Sequence, residues 1–413
     1  MFWTENPAVK AGPYHIRRIF LCLALFLAWP AFVQAEDSSS SLEAWLVTYG
    51  PGEIYWQRFG HNAIWIRDQD LGLNHVFNFG FFDFEQKAFF RRFLQGKLLY
   101  FSAAQPAERE FSFYIDENRS IRAQRLNLSA EQSLRLAEYL LSEVQPENRD
   151  YLYDYYTNNC STRIRDALDL ALDGRLAEEY GPIRADLTWR DHTRRLTAND
   201  FWLYLGLEIG LGPGVDPAIS RWDEFFIPSE LAEALATTTW SSDDGVVALV
   251  LEDVMLFESS LESPPTSTAH WWPRYLIMSV LLVAVAWISC RLLPAVTPLR
   301  LARVWLGLAG LVGVALAFFW FFTDHRAARL NINLLVFNPL WWFLAAWNRE
   351  RTAGGLLLVF SALAMMTPLL PFTQYNLDVL AAFLPLNIAS ALVLIRRPPR
   401  QADQPDAPEE GDR

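Results

Sequence analysis

The pattern of hydrophobic and polar positions divides the chain into two unlike halves. Residues 42–49, 61–67 and 74–80 alternate or are rich in β-branched and aromatic side chains, which predicts strands, and Ile121–Leu126 predicts another. Gly50-Pro51-Gly52 marks a turn after the first of them. Ser129 with Gln132 forms a capping box that opens a helix running to about Val144. Ile164, Ala167, Leu168, Leu170 and Ala171 recur at helical spacing, so a second helix is expected to start near Cys160. From Trp271 onward the pattern becomes continuously apolar in five segments: 275–293, 304–322, 334–347, 355–370 and 379–395. Most approach the roughly 20 residues that a helix needs to cross the hydrocarbon core. The third is short and contains Pro339, which makes it the least secure span.

The N-terminus adds a targeting signal. His15, Arg17 and Arg18 precede an apolar run from Ile19 to Phe32, and Val33-Gln34-Ala35 supplies small residues for a signal peptidase. An uncleaved anchor is the other reading, with the same topology. Cys22 follows Leu21, where a lipoprotein signal requires a smaller residue, so lipidation there is not expected. The expected organisation is a signal over 1–35, an α+β soluble domain over 36–270 and an all-α polytopic membrane domain over 271–400. A disordered acidic tail over 401–413 completes it.

Composition agrees with a soluble part joined to a membrane part. Of 413 residues 52% are hydrophobic and only 20% charged, and the 17 Trp and 29 Phe suit side chains at a bilayer interface. With the soluble domain outside, Arg291, Arg300, Arg303, Arg349, Arg351, Arg396, Arg397 and Arg400 fall at cytoplasmic ends, whereas the outer loops hold Arg326 and Arg329. That asymmetry follows the positive-inside rule and places the C-terminus in the cytoplasm of an inner-membrane protein. A net charge of −12 argues against nucleic acid as a partner. The six His and three Cys form neither CxxC nor HExxH, so no metal or other cofactor is expected. The oligomeric state is not encoded in any of these signals.

Candidate chemistry centres on Cys160. Once Cys22 leaves with the signal, Cys160 is the exported domain's lone thiol, because Cys290 lies in a membrane segment. No disulfide can form within a domain whose compartment favours disulfides. The bland reading is a buried thiol serving as a small hydrophobe. The polar run Asn158-Asn159-Cys160-Ser161-Thr162 at a helix start favours a nucleophile instead. The helix macrodipole is expected to lower the thiol pKa, with Arg163 and Arg165 adding positive potential. One of the two asparagines is expected to cap the helix, whose first amides are candidate oxyanion donors. A thiol nucleophile needs a proton carrier. His61 follows Phe59-Gly60 at the start of a strand and is the candidate, while His75 and His192 read as surface residues. His270 and His325 fall at the outer membrane surface, and His270-Trp271-Trp272 reads as an interfacial belt. The aromatic stretch Phe77–Phe90 reads as ordinary core or, alternatively, as the lining of an acyl groove.

Gly60-His61, then Asn78-Phe79-Gly80 with Asp83, then the run from Tyr153 to Arg163 with Asp166 resemble the Lnb-type periplasmic domain family. The resemblance covers roughly residues 42–230, with a weaker echo in His325, Asn331, Asn333 and Asn338-Pro339-Leu340. It implies a circularly permuted papain-like (NlpC/P60-like) fold in which His precedes Cys. It also implies an activity, transfer of an acyl chain within a bacterial lipoprotein from the glyceryl group to the N-terminal amine. Cys160 would carry the acyl group as a thioester and His61 would move protons. The orienting residue would be Asn78 or His75, with Asp83, Asp154 and Asn159 as possible support. The implied partners are the bilayer and a lipoprotein or phospholipid substrate. A cell-wall peptidase or amidase of the same fold is the alternative enzyme, and a membrane sensor or scaffold the non-enzymatic one.

Overall fold

The computed structural model describes residues 42–242, 245–268, 270–293, 295–346, 349–370 and 374–396. The signal segment 1–35 and the acidic tail 401–413 lie outside the described residues.

Four strands form where alternation predicts them: β1 (Leu42–Tyr49), β2 (His61–Asp68), β3 (Leu73–Phe82) and, after β4 (Leu99–Pro106), β5 (Ile121–Leu126). With β6 (Asp150–Leu152) and, past a β7–β8 hairpin (Thr239–Ser242 and Gly245–Ala248), β9 (Val250–Phe257), they build one seven-stranded sheet. Its order is β6-β4-β3-β2-β1-β5-β9 and every pairing is antiparallel.

The helices in chain order are α1 (Phe89–Gln95), α2 (Ala107–Asp116), α3 (Ala130–Glu143), α4 (Cys160–Ala171), α5 (Arg175–Tyr180), α6 (Trp189–Thr197), α7 (Phe201–Gly210), α8 (Arg221–Glu224) and α9 (Pro228–Thr237). Both predicted helices are present, α3 with its Ser129–Gln132 capping box and α4 capped by Asn159.

Alternation gives the sheet two covered faces. Leu46, Ile64, Phe77 and Phe79 point to one, where they pack with Leu136 and Leu140 of α3, Ile164 and Leu168 of α4 and Leu231 and Leu235 of α9. Val47, Tyr49, Ala63 and Val76 point to the other, under Ala107 and Tyr114 of α2. This α+β domain has the class the sequence implies.

Five further helices follow: α10 (Trp272–Leu292), α11 (Pro298–Phe322), α12 (Leu340–Ala346), α13 (Glu350–Met366) and α14 (Leu377–Ile395). Among the described residues four helical stretches are long and apolar enough to cross a membrane, 272–292, 298–322, 350–369 and 377–395. The third predicted segment corrects the expectation of five such helices. It consists of a 3-10 turn at Ile332–Leu335, a break at Asn338-Pro339 and the seven-residue α12. Its backbone lies directly on α11: a Cβ at Gly313 would sit 2.2 Å from the Phe337 carbonyl, and one at Gly310 would sit 2.5 Å from the Trp342 nitrogen. Irregular backbone is tolerated at membrane depth only where protein buries it. Here Asn387 of α14 donates to the Val336 carbonyl at 3.2 Å.

The sheet domain and the helical region share a seam of buried charge. Arg194 of α6 forms two bonds to Glu208 of α7, at 2.8 and 2.6 Å, and lies 3.5 Å from Asp378 of α14. Arg190 pairs with Asp216 at 2.6 Å, and Tyr204 donates to Asp378 at 3.3 Å. Asn331 and Asn333 donate to the last carbonyls of α7, from Glu208 to Gly210, at 2.8–3.0 Å. The polar residues that echo the family in the membrane half therefore lock the two parts together. Removing one partner of a buried ion pair strands the other charge. Arg194→Ala is expected to lower stability by about 3–5 kcal/mol, measured by thermal unfolding of the detergent-solubilised protein. The double variant Arg194→Ala/Glu208→Ala is expected to lose less than the sum of the two single variants.

Candidate active site

Cys160 is the first residue of α4, and the loop before it is built to present it. Asp154 accepts from the amides of Tyr156 and Thr157 and from the Thr157 hydroxyl, closing the turn. Asn159 then caps the helix: its Oδ1 accepts from the Thr162 amide at 2.9 Å, and its Nδ2 donates to the Tyr155 and Phe226 carbonyls. At the helix start the amides of Cys160 and Ser161 have no intrahelical acceptor.

His61 begins β2 and approaches from the other face of the sheet. The residue between these two functions, Asn62, is fully buried and staples strand to helix. Its Nδ2 donates to Ser161 Oγ at 3.1 Å and to the Pro228 carbonyl at 3.2 Å, while its Oδ1 accepts from Thr48 at 2.8 Å. Gly80 lets the thiol through. It has φ +104, where an L side chain would be strained, and a Cβ there would lie in ordinary contact with the Cys160 Cβ at 3.5 Å.

Asn78, two residues before Gly80 on β3, holds His61: the ring Nε2 and Asn78 Oδ1 are 2.9 Å apart. The Asn78 amide nitrogen faces the Val76 carbonyl at 3.4 Å, which leaves Oδ1 toward the ring. With Nε2–H donating, the neutral imidazole keeps its lone pair on Nδ1. The ring stacks with Tyr49 and Tyr114, at centroid distances of 5.9 and 6.3 Å.

The other proposed support residues lie elsewhere. His75 is three positions from Asn78 and so points to the opposite face, about 16 Å along the strand from Gly80. Asp83 sits in the exposed turn after β3, where it accepts from the Glu85 amide at 2.8 Å. Asp154 and Asn159 shape the loop, as described above. His192 is not a surface residue: it is fully buried between Glu224 at 2.8 Å and Arg195 at 3.2 Å. His325 is partly exposed, and its Nε2 lies 3.0 Å from the Phe93 carbonyl of α1.

Electrostatics overturn the expected thiolate. Cys160 is 9% exposed, and burial pushes its thiol pKa up; the amides of Asn62, Ser161 and Cys160 and the charge of Arg119 only partly offset this. Burial also lowers His61 to about 4, against the Asn78 bond, which raises it. Both shifts favour the uncharged form, thiol for Cys160 and neutral imidazole for His61. Arg163 and Arg165 do not supply the positive field, because Arg163 lies over Tyr151 beside Glu143 and Arg165 is bound to Asp166 and Trp222. Arg119 supplies it, lodged over the Tyr114 ring and donating to the Gly50 carbonyl.

Two residues that pattern reading missed complete the site. Arg119 is one. The other is Glu110 of α2, 4% exposed, which burial raises to about 7 while Tyr49, Asn78 and Arg119 pull it down. Its sequence context, Ala-Glu-Arg-Glu-Phe, reads as an exposed acidic helix turn, so only the sheet above α2 reveals it.

Two measurements follow. Alkylation of Cys160 by iodoacetamide is expected to be slow between pH 5 and 8 and to climb only above pH 9. A plateau at acidic pH would instead reveal an ion pair. For Glu110 the folded value lies above 4.5, so its contribution to stability is complete below that pH and is lost as pH rises through 7. Glu110→Gln removes that dependence. The variant is expected to gain on the parent by on the order of 3 kcal/mol between pH 4.5 and 8, read from denaturation midpoints at both pH values.

Two family models match the chain. Residues 29–195, which include His61, Asn78 and Cys160, match the family model described as Lnb N-terminal periplasmic domain. Residues 266–398 match the one described as Lnb transmembrane domain. No curated protein and no solved structure matches the chain. Both matched regions occur in the order and in the halves where the structure places a sheet domain and apolar helices. The chain is thus a membrane protein with a periplasmic domain, and it belongs to the Lnb-type family.

Proposed function

We propose that the protein is a thiol acyltransferase acting at the periplasmic face of the membrane on the ester of a lipidated protein or phospholipid. The observation that carries this reading is the His61–Asn78 bond, which leaves His61 Nδ1 as a base on the strand stapled through Asn62 to the Cys160 helix.

As the Cys160 sulfur bonds to the ester carbonyl carbon, His61 takes the thiol proton, so thiolate exists only during attack. The α4 amides receive the oxyanion. Collapse breaks the acyl C–O bond, and His61 returns the proton to the departing glyceryl oxygen, leaving a thioester. A neutral amine then bonds to the same carbon. His61 accepts its proton, the C–S bond breaks and the proton returns to sulfur. Asn78 keeps the ring in the required tautomer throughout.

The topology belongs to the same proposal. Arg303, near the start of α11, pairs with Glu350 at the start of α13 at 2.9 Å, whereas Asn331 and Asn333 lie at the opposite end, against α7. The segment between them therefore traverses the bundle despite its broken helix. Five crossings place Arg291, Arg300, Arg303, Arg349, Arg351 and Arg396 together on the cytoplasmic side with the C-terminus.

Purified full-length protein given a diacylated lipopeptide and a free amine acceptor tests the chemistry by mass spectrometry. Cys160→Ala is expected to abolish transfer, and His61→Ala to slow it by roughly 10²–10⁴-fold. Unchanged transfer in both variants would remove the acyltransferase reading.

A further inference from the structure

The polar side chains beside Cys160 and His61 converge on one short piece of backbone. Residues 225–228 lead from α8 into α9, and three of their carbonyls accept from neighbours of the two reacting groups. Ser161, next to Cys160, donates to the Phe225 carbonyl at 2.6 Å, and Asn159, on the other side of Cys160, donates to the Phe226 carbonyl at 2.8 Å. Asn62, next to His61, donates to the Pro228 carbonyl at 3.2 Å. All three side chains are buried, so a shift of this backbone would leave buried donors unpaired. The acceptors are main-chain groups. What places them is therefore the path of the chain, and the side chains that fix that path lie elsewhere.

They lie on α6. Glu224, 2% exposed at the end of α8, accepts from His192 Nε2 at 2.8 Å, and Arg221 holds its other oxygen. Arg195 donates to His192 Nδ1 at 3.2 Å, which leaves Nε2–H for Glu224. The same Arg195 Nη2 donates to Glu230, in the first turn of α9, at 3.1 Å. His192 and Arg195, one turn apart, thus grip the segment at both ends, and the His192 ring meets Phe226 edge-on at 5.7 Å. Thr193, between them, bonds to the Tyr156 hydroxyl at 3.0 Å, in the loop that presents Cys160. Consecutive residues of one helix therefore hold the nucleophile's loop and the carbonyls that flank it, and Arg190 and Arg194 fix that helix in the buried seam.

We propose that His192 and Glu224 are positioning residues for acyl transfer: their bond sets the 225–228 carbonyls, which keep Cys160 and His61 in reacting register. The proposal rests on the acyl-transfer reading and adds to it a support that acts on turnover and not on substrate binding.

The test measures kcat and KM for transfer from a diacylated lipopeptide by the full-length protein, at a temperature below the unfolding midpoint of every variant. Glu224→Ala is expected to lower kcat by about 10- to 100-fold with KM within about twofold. Glu224→Gln keeps an oxygen for the His192 ring and is expected to stay within about threefold of the parent. Ser161→Ala cuts the same link at its other end. The double variant Ser161→Ala/Glu224→Ala is therefore expected to fall no more than about threefold below the slower single variant. Unchanged kcat in Glu224→Ala, a loss confined to KM, a Gln variant no faster than the Ala variant, or losses that multiply in the double variant each overturn the proposal and leave acyl transfer standing. Where Glu224→Ala shows no cooperative unfolding, His192→Ala and His192→Gln take the places of the two Glu224 variants, with the same outcomes. A parent that transfers no acyl chain removes the acyl-transfer reading and the proposal with it.

Discussion

Two arginines and three carboxylates at the seam between the sheet domain and α14 hold the two parts of the molecule together. Arg194, held by Glu208 and Asp378, cannot move without exposing uncompensated charge, and Arg190 with Asp216 extends the same network. Ion pairs of this kind add little net stability against a well-packed apolar alternative, but they are intolerant of partial disruption. The seam therefore acts as a register device. It holds the end of α7 on Asn331 and Asn333, and α1 is separately tied at Asp324 and His325. A domain joined to its membrane helices by one flexible linker would sample many heights above the bilayer. This one is held at two places, on α7 and on α1.

Within the domain, the site depends on bringing two faces of one sheet to the same point. His61 and Asn78 project toward α2, whereas α4 packs on the opposite face. The faces are linked where Asn62, next to His61, bonds to Ser161, next to Cys160. Enclosure explains the electrostatics as well. The same burial disfavours charge on both groups, raising the thiol and lowering the imidazole.

Much of this was legible in the chain. The alternation of 42–49 and 61–67 located β1 and β2, the Ser129–Gln132 spacing located α3, the helical recurrence of Ile164, Ala167, Leu168 and Ala171 located α4, and Cys160 at a helix start was visible as a candidate. What escaped was non-local. β9 pairs with β5 across more than a hundred residues, so nothing near Val250 announces it. Glu110 looks solvent-facing until the sheet covers it, and Arg119 looks like any loop arginine. Arg163 and Arg165 were nearer Cys160 in sequence, but helix geometry turns them toward Glu143 and Trp222. The third apolar segment was suspect for Pro339, and the glycines of α11 explain how such a break is accommodated.

The buried, protonated state of Cys160 also bears on its survival. Oxidants attack thiolate far faster than thiol, and the first product, a sulfenic acid, is rescued when a neighbouring cysteine resolves it. Besides Cys160 the chain has Cys22 and Cys290; among the described residues Cys290 lies in the apolar helix α10, so no second cysteine there stands beside Cys160. Overoxidation of this thiol would be irreversible. A thiol kept neutral and nearly inaccessible is shielded from oxidants by that same burial, which matters in an oxidising compartment.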